Sequence, residues 1–430
     1  MNAPGEPTRT SSSRQRFIPF RRREIVDLLC REDPTPARLR AFASLVETHF
    51  HALFHPRVEK LKEHYFPFSP DRDLRTLETW NDDDLEQHEA GLLEGLTAVL
   101  DDANYEEVTK SELDHALREQ SLFRVTLSID FNAFDRYALY RRGDVVHHVE
   151  VPRMFFRKKT IAVPTFERVA MLVRFQSREY FEARKRKNFL FEPGSVVIKL
   201  FKNVPKADLE MLLPTTEVRM SWRDGAVLVV PGLVGAIFIL LKTATPLLLA
   251  ATILWSLFKA KFAKGENPFD LALTYEHLAI IATATLALGG IVAFVVKQWL
   301  NFKNRKMRFL KLLADNLYFK NLDNNEGVFL RLVDQAEEEE SKELILAYAF
   351  LRRTGPMTEG ALDELIERWI EERGKVAIDF EVDDALEKLV ALGLVDVRGE
   401  GEGKTYAAIE LERAVGALEA KCGALSAAPK

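Results

Sequence analysis

The chain has 430 residues, 60 Lys and Arg against 65 Asp and Glu, and a formal net charge of −5. That length accommodates two folded domains and more, and so small a net charge excludes a uniformly basic nucleic-acid coat. Two cysteines far apart, Cys30 and Cys422, exclude a disulfide framework and fit a reducing compartment.

The elements follow in chain order. Residues 1–16 have no apolar core, so a cleavable secretory signal is not expected; rich in Ser, Thr and Arg, the stretch reads as a disordered tail, the alternative being a mitochondrial presequence. Residues 17–121 read as helical. Asp33-Pro34-Thr35-Pro36 breaks the chain and caps a helix in which Leu39, Phe42, Val46, Phe50, Leu53 and Phe54 form an apolar stripe. Pro56 disturbs that helix directly after His55. From residue 122 the period changes to alternation, in Val125, Leu127 and Ile129 and again in Val145 to Val151. Arg141-Arg142-Gly143-Asp144 reads as the turn between two such runs. Residues 122–225 form a β-rich α+β unit. Its basic excess, over residues 141–187, suits a solvated face or anionic lipid headgroups.

Two apolar stretches come next. Ala226–Phe258 carries only Lys242 as a charge, and Leu278–Val296 carries none. Roughly 18 apolar residues suffice to span a bilayer as a helix, so residues 226–299 are expected to be a transmembrane hairpin; the alternative for 226–258, interrupted by Pro231, Pro246 and Lys242-Thr243-Ala244-Thr245, is a re-entrant loop of two short segments. Arg219 and Arg223 before it, and Lys297 to Lys311 after it, outweigh Lys259, Lys261 and Lys264 in the loop. By the positive-inside rule both termini face the cytoplasm of a bacterial inner membrane, or the matrix if the membrane is mitochondrial. Gly232, Gly235, Ala236, Gly289 and Gly290 would let helices pack closely in a homo-oligomer.

A juxtamembrane helix and linker occupy residues 300–335. Residues 336–421 follow as an acidic domain: three helices and then a hairpin across Gly399–Gly403, the order of a winged helix. Glu337–Glu340 read as the first turn of its first helix, favourable against the helix dipole. Residues 422–430 are a tail. The expected class is thus an α+β membrane protein with a helical N-terminal region, a β-rich unit, a two-helix transmembrane hairpin and a winged-helix-like C-terminal domain.

Chemistry is sparse. Glu47, His51 and His55, spaced four apart, are the weak candidates for a metal; two imidazoles at that spacing converge on one point, but the face lies opposite the apolar stripe. Lys242 is the one costly polar group in the expected membrane region. Asp208 and Glu210 at i, i+2 point to different helix faces. No phosphate-binding loop or nucleophile elbow is found, so no catalytic residue, cofactor or resident metal is assigned. The third helix of the C-terminal domain, Asp379 to Lys388, is acidic and would be repelled by phosphate. The expected partners are therefore the bilayer and a protein bound by the acidic domain, not nucleic acid.

Four strings carry a resemblance: Arg16–Arg22, Tyr65–Asp71, Phe201–Pro214 and Leu317–Asn325. They resemble the transmembrane protein 143 family, a domain of unknown function in bacteria, mitochondria and plastids. The resemblance implies an integral membrane protein with two spans and brings no activity or site residue. The expected function is a non-enzymatic, membrane-anchored scaffold or regulator. The alternatives are an oligomeric transporter or channel built from the hairpin, and an uncatalogued lipid-acting enzyme.

Overall fold

Helical spacing of apolar residues builds the N-terminal layer. The computed structural model describes residues 14–72, 76–109, 111–113, 126–153, 157–184, 191–219, short pieces between 244 and 263, and 275–427. Helix α1 is Arg22–Arg31, α2 is Pro36–Tyr65 and α3 is Asp82–Asp102. Asn81 caps α3: its side chain accepts from the Asp84 N–H while Asp84 reaches back to the Asn81 N–H. Contrary to expectation, α2 runs through Pro56 unbroken. A helix-interior proline costs about 3 kcal/mol; burying Phe50, Phe54, Val58 and Leu61 on the stripe around it offsets that cost.

The sheet is antiparallel, with the order β1-β3-β4-β5-β7. Its strands are β1 (Glu106–Glu107), β3 (Phe134–Arg153), β4 (Arg157–Phe175), β5 (Val196–Pro205) and β7 (Asn321–Asn324). Strands β2 (Thr126–Ile129) and β6 (Thr216–Arg219) pair separately. The expected turn at Arg141–Asp144 is instead the interior of β3. Pairing with β4 passes through it, from Arg142 opposite Arg168 to Asp144 opposite Phe166. Gly143 has φ +71, and a Cβ there would lie 2.7 Å from Glu167 Oε2. The glycine thus serves a local irregularity of a strand, not a reversal.

Short helix α4 (Arg178–Ala183) follows β4. The 46-residue helix α5 (Tyr275–Lys320) then leads directly into β7. Among the described residues no helix is long and apolar enough to cross a membrane. The expected membrane class is therefore corrected to α+β with helices and an antiparallel sheet, and the transmembrane hairpin and multi-pass localisation fall with it. Leu278–Val296 is not a self-contained element: α5 continues from it through Lys297, Lys303 and Arg305 without a break. An apolar window reports composition and does not set where a helix stops. Lys242 and most of Ala226–Phe258 lie outside the described residues.

Helix α6 (Glu326–Thr354) packs against α1, α2 and α3. Glu337–Glu340, expected in a first turn, lie mid-helix, because the helix begins at Glu326 beyond Asn325 at φ 51. After α6 come β8 (Met357–Thr358), α7 (Glu359–Gly374), α8 (Val382–Ala391), β9 (Val395–Arg398), β10 (Thr405–Ala408) and α9 (Leu411–Ala427). Strands β8, β10 and β9 form a three-stranded antiparallel sheet in that order.

By contacts the chain forms two units. One joins residues 1–122, 129–216 and 319–430; the other joins residues 123–128 and 217–318. In the first unit a single core runs through α1, α2, α3 and α6 to α9, and onto one face of the sheet at Ala170, Leu172, Val196, Ile198 and Leu200. Phe42 stacks on Tyr348, ring centroids 4.2 Å apart. The segments expected as separate blocks at 17–121 and 336–421 therefore share their interior.

Candidate functional site: charges buried around one helix

Every residue of α6 from Glu339 to Leu351 is buried, four charged side chains included. Glu339, Glu340 and Lys342 are 3% exposed and Glu343 is 4% exposed. Charges so enclosed must be paired and hydrogen-bonded, and each of these is.

The pairing is built from distant parts of the chain. Lys342 Nζ donates to Glu339 Oε1 at 2.7 Å, to the Ile18 carbonyl at 2.9 Å and to the Phe20 carbonyl at 3.2 Å. Glu339 Oε2 accepts the Ile18 N–H at 3.0 Å. Arg142, from β3, approaches Glu339 at 3.8 Å and donates to the Ala103 carbonyl at 3.0 Å. Its guanidinium lies over the Phe17 and Tyr105 rings. Asn104, at φ 58 just past α3, donates to Glu343 Oε1 at 3.0 Å and to the Arg16 carbonyl at 3.2 Å. Lys388, from α8, donates to Glu340 and Asp384.

Burial pushes the Glu343 carboxyl well above the usual carboxylate range, and the negative charges of Glu340 and Glu339 push it further. Burial likewise raises Glu340 to about 7, against the pull of Lys388. In this hub around Glu343, the side chains of Glu339, Glu340 and Asp384 lie among the cations Arg142, Lys342 and Lys388.

Glu340, Glu343 and Asp384 offer oxygens within 4.8 Å of one another, a donor set that could hold a cation. The Lys388 ammonium already sits on two of the three. Two cavities lie elsewhere. One, about 250 Å³, is lined by Asp130, Tyr180 and Arg184 among others. The other, about 520 Å³, is lined by His64, Trp80, Asp84 and His88 among others. The hub is thus a closed electrostatic joint that can hold segments together and exchange protons.

A second buried pair lies in the 3-10 turn Lys206–Leu212, which packs against β4. Asp208 and Glu210 are both buried there. Burial and the Asp208 charge raise Glu210 to about 7, and burial lowers Lys320, with Asp208 opposing. The i, i+2 spacing was read as separating these carboxylates. In a 3-10 turn beside a sheet they remain within electrostatic reach.

The histidine face is dispersed. Glu47 pairs with Arg22, and His51 Nδ1 lies 3.1 Å from Glu337 Oε1. The His51 and His55 rings stand 6.1 Å apart, tilted, on an exposed surface. Glu47, His51 and His55 do not form a close donor group.

Sequence reasoning missed Asn104, Arg142, Glu339, Glu340, Lys342 and Glu343. One signal was present. Leu344–Leu351 is apolar on every side of a helix, which marks burial, and Glu339–Glu343 precede it without a break.

Residues 166–327, less than half of the chain, match the model of a family described as a protein of unknown function, DUF3754. The match begins in β4 and ends at the start of α6, so it spans Asp208, Glu210 and Lys320. No solved structure matches the chain.

Proposed function

We propose that this chain is a non-enzymatic scaffold or regulator whose acidic C-terminal segment binds a protein partner. Within the family of unknown function, the finer likeness to the transmembrane protein 143 group belongs to the same proposal and adds no activity. The helix–strand–helix–helix–hairpin order from α6 to β10, with sheet order β8-β10-β9, corresponds to a winged helix, whose third helix ordinarily enters the DNA major groove.

The observation that carries the reading is the charge of that third helix, α8. Its exposed residues include Asp383 and Glu387, and its one cation, Lys388, is spent on Glu340 and Asp384. No basic group remains on it to meet phosphate. Two measurements test the reading. A gel shift of the full chain with duplex DNA at low salt is expected to show no complex; tight, salt-sensitive binding by the unmodified chain would overturn it. Affinity capture should recover a protein partner that the double substitution Asp383→Lys with Glu387→Lys releases, and a partner retained by the variant would place the contact elsewhere.

A further inference from the structure

The C-terminal segment already holds a peptide, and that peptide is the chain's own N-terminal strap. Gln15 forms a parallel bridge with Ile378. Its N–H donates to the Ala377 carbonyl at 3.1 Å, and its carbonyl accepts the Asp379 N–H at 2.9 Å. On either side of it two arginines meet carboxylates. Arg14 reaches both Glu367 oxygens, at 3.2 and 3.1 Å, and Arg16 pairs with Glu381. The alternation is that of an added strand: Gln15 is buried, its amide donating to the Asp144 carbonyl at 2.7 Å, while Arg14 and Arg16 face the acids.

We propose that the edge formed by α7, residues 376–381 and the start of α8 is a docking groove for an extended basic segment with cations at alternate positions, occupied in this structure by Arg14–Arg16 as an internal ligand that a partner displaces. This names the partner chemistry and the regulation of the surface proposed above, and it rests on that reading.

Three observations bear the assignment. First, the groove has a surplus of negative charge after the strap is seated. Asp363, Glu367, Asp379 and Asp383 cluster there with Arg14 as the cation among their neighbours; burial first, then Glu367 and Asp379, raise Asp363 to about 6. Asp363 Oδ1 is enclosed with no hydrogen-bond partner among the described residues. Second, recognition runs through backbone groups plus alternate side chains, the mode by which extended peptides add to a sheet edge or loop. Third, the strap is held unequally. Ile18 and Phe20 are fixed by Glu339 and Lys342, whereas the Arg14 side chain is 62% exposed at the rim. Residues 14–16 can therefore lift while residues 18–20 stay anchored. Tethering keeps the internal segment at high effective concentration, so a competing segment must bind more tightly or hold a second site.

The test uses the full chain and a labelled peptide of residues 12–19. Wild-type protein is expected to bind it weakly. Arg14→Ala/Arg16→Ala should bind at least about tenfold more tightly, since the internal ligand is weakened; Arg14→Ala alone should fall between the two and guards against a folding defect in the double variant. Adding Glu367→Gln and Glu381→Gln should abolish the gain, and a peptide with Glu at both arginine positions should not bind. Hydrogen exchange at the Asp379 amide should quicken in the arginine variants and slow again with peptide. Equal affinity of wild type and both arginine variants, or binding indifferent to Glu367→Gln/Glu381→Gln, overturns the groove. If the peptide fails while partner capture still depends on Asp383 and Glu387, only the groove assignment is lost. If the peptide binds while capture fails, the groove stands and the partner reading of α8 falls.

Discussion

The two long helices α5 and α6 invert one another. Helix α5 holds the most apolar uninterrupted run among the described helices, yet Leu278, Leu286, Val292, Val296 and Trp299 are exposed on it. Helix α6 carries six charged residues among the seven from Glu337 to Glu343, Ser341 being the exception, yet four of them are enclosed. Composition alone assigns both helices to the wrong surroundings. The difference lies in partners: α6 meets polar groups from residues 18, 20, 104, 142 and 388, all remote in sequence.

The largest effect should come from removing one partner in the α6 joint. Lys342→Met strips Glu339 of its closest cation and two strap carbonyls of their donor, and a broken buried pair typically costs about 3–5 kcal/mol. Denaturant unfolding should show that loss, and Lys342→Met/Glu339→Gln should recover part of it. A loss below about 1 kcal/mol in the single variant would mean that the joint carries no stability.

A smaller effect concerns protons. Glu340 has its folded pKa raised to about 7, so between its unfolded value and 7 the folded chain binds more protons than the unfolded chain. Stability supplied by this group is full below the unfolded pKa and is lost as pH rises through about 7. The melting midpoint should therefore fall from pH 5 to pH 7.5, by a free energy on the order of 1–3 kcal/mol. Glu340→Gln should flatten that slope; an unchanged slope would show that the proton resides elsewhere.

The smallest effect belongs to α5. Leu286→Gln and Trp299→Gln lie on exposed positions, where substitutions usually change stability by no more than about 0.5 kcal/mol. A loss of several kcal/mol would show that these side chains are covered, and would erase the contrast between the helices.

Much of the local structure was legible. The helical reading of residues 17–121 covers α1 to α3, the three helices expected in 336–421 correspond to the end of α6, α7 and α8, and the glycine run Gly399–Gly403 marks the turn between β9 and β10, whereas α9, which runs into the expected tail, was not anticipated. What failed depended on distance in sequence. Pro56 was weighed as a breaker without the stripe that holds α2 straight. Gly143 was read as a reversal because the partner strand β4 was not in view. Glu337–Glu340 were placed at a helix start because nothing nearby could show that Arg142, Asn104 and the strap would meet them. The hydropathy window located the apolar run of α5 but not the helix bounds around it. Of the site, the acidic character of α8 was readable, and the pairing that spends Lys388 was not.

The last helix, α9, packs along α2, and Cys422 Sγ lies 3.7 Å from the Leu45 carbonyl. Strand β7 closes against β5 only after more than a hundred intervening residues have been made. Synthesis thus delivers α2 and the open edge of β5 long before anything that covers them. An early chain exposes Phe42, Phe50 and the β5 backbone, the kind of surface that chaperones bind and that aggregates. This unit is completed only once α9 has been made, and a truncation before residue 411 would leave α2 without the cover that α9 supplies.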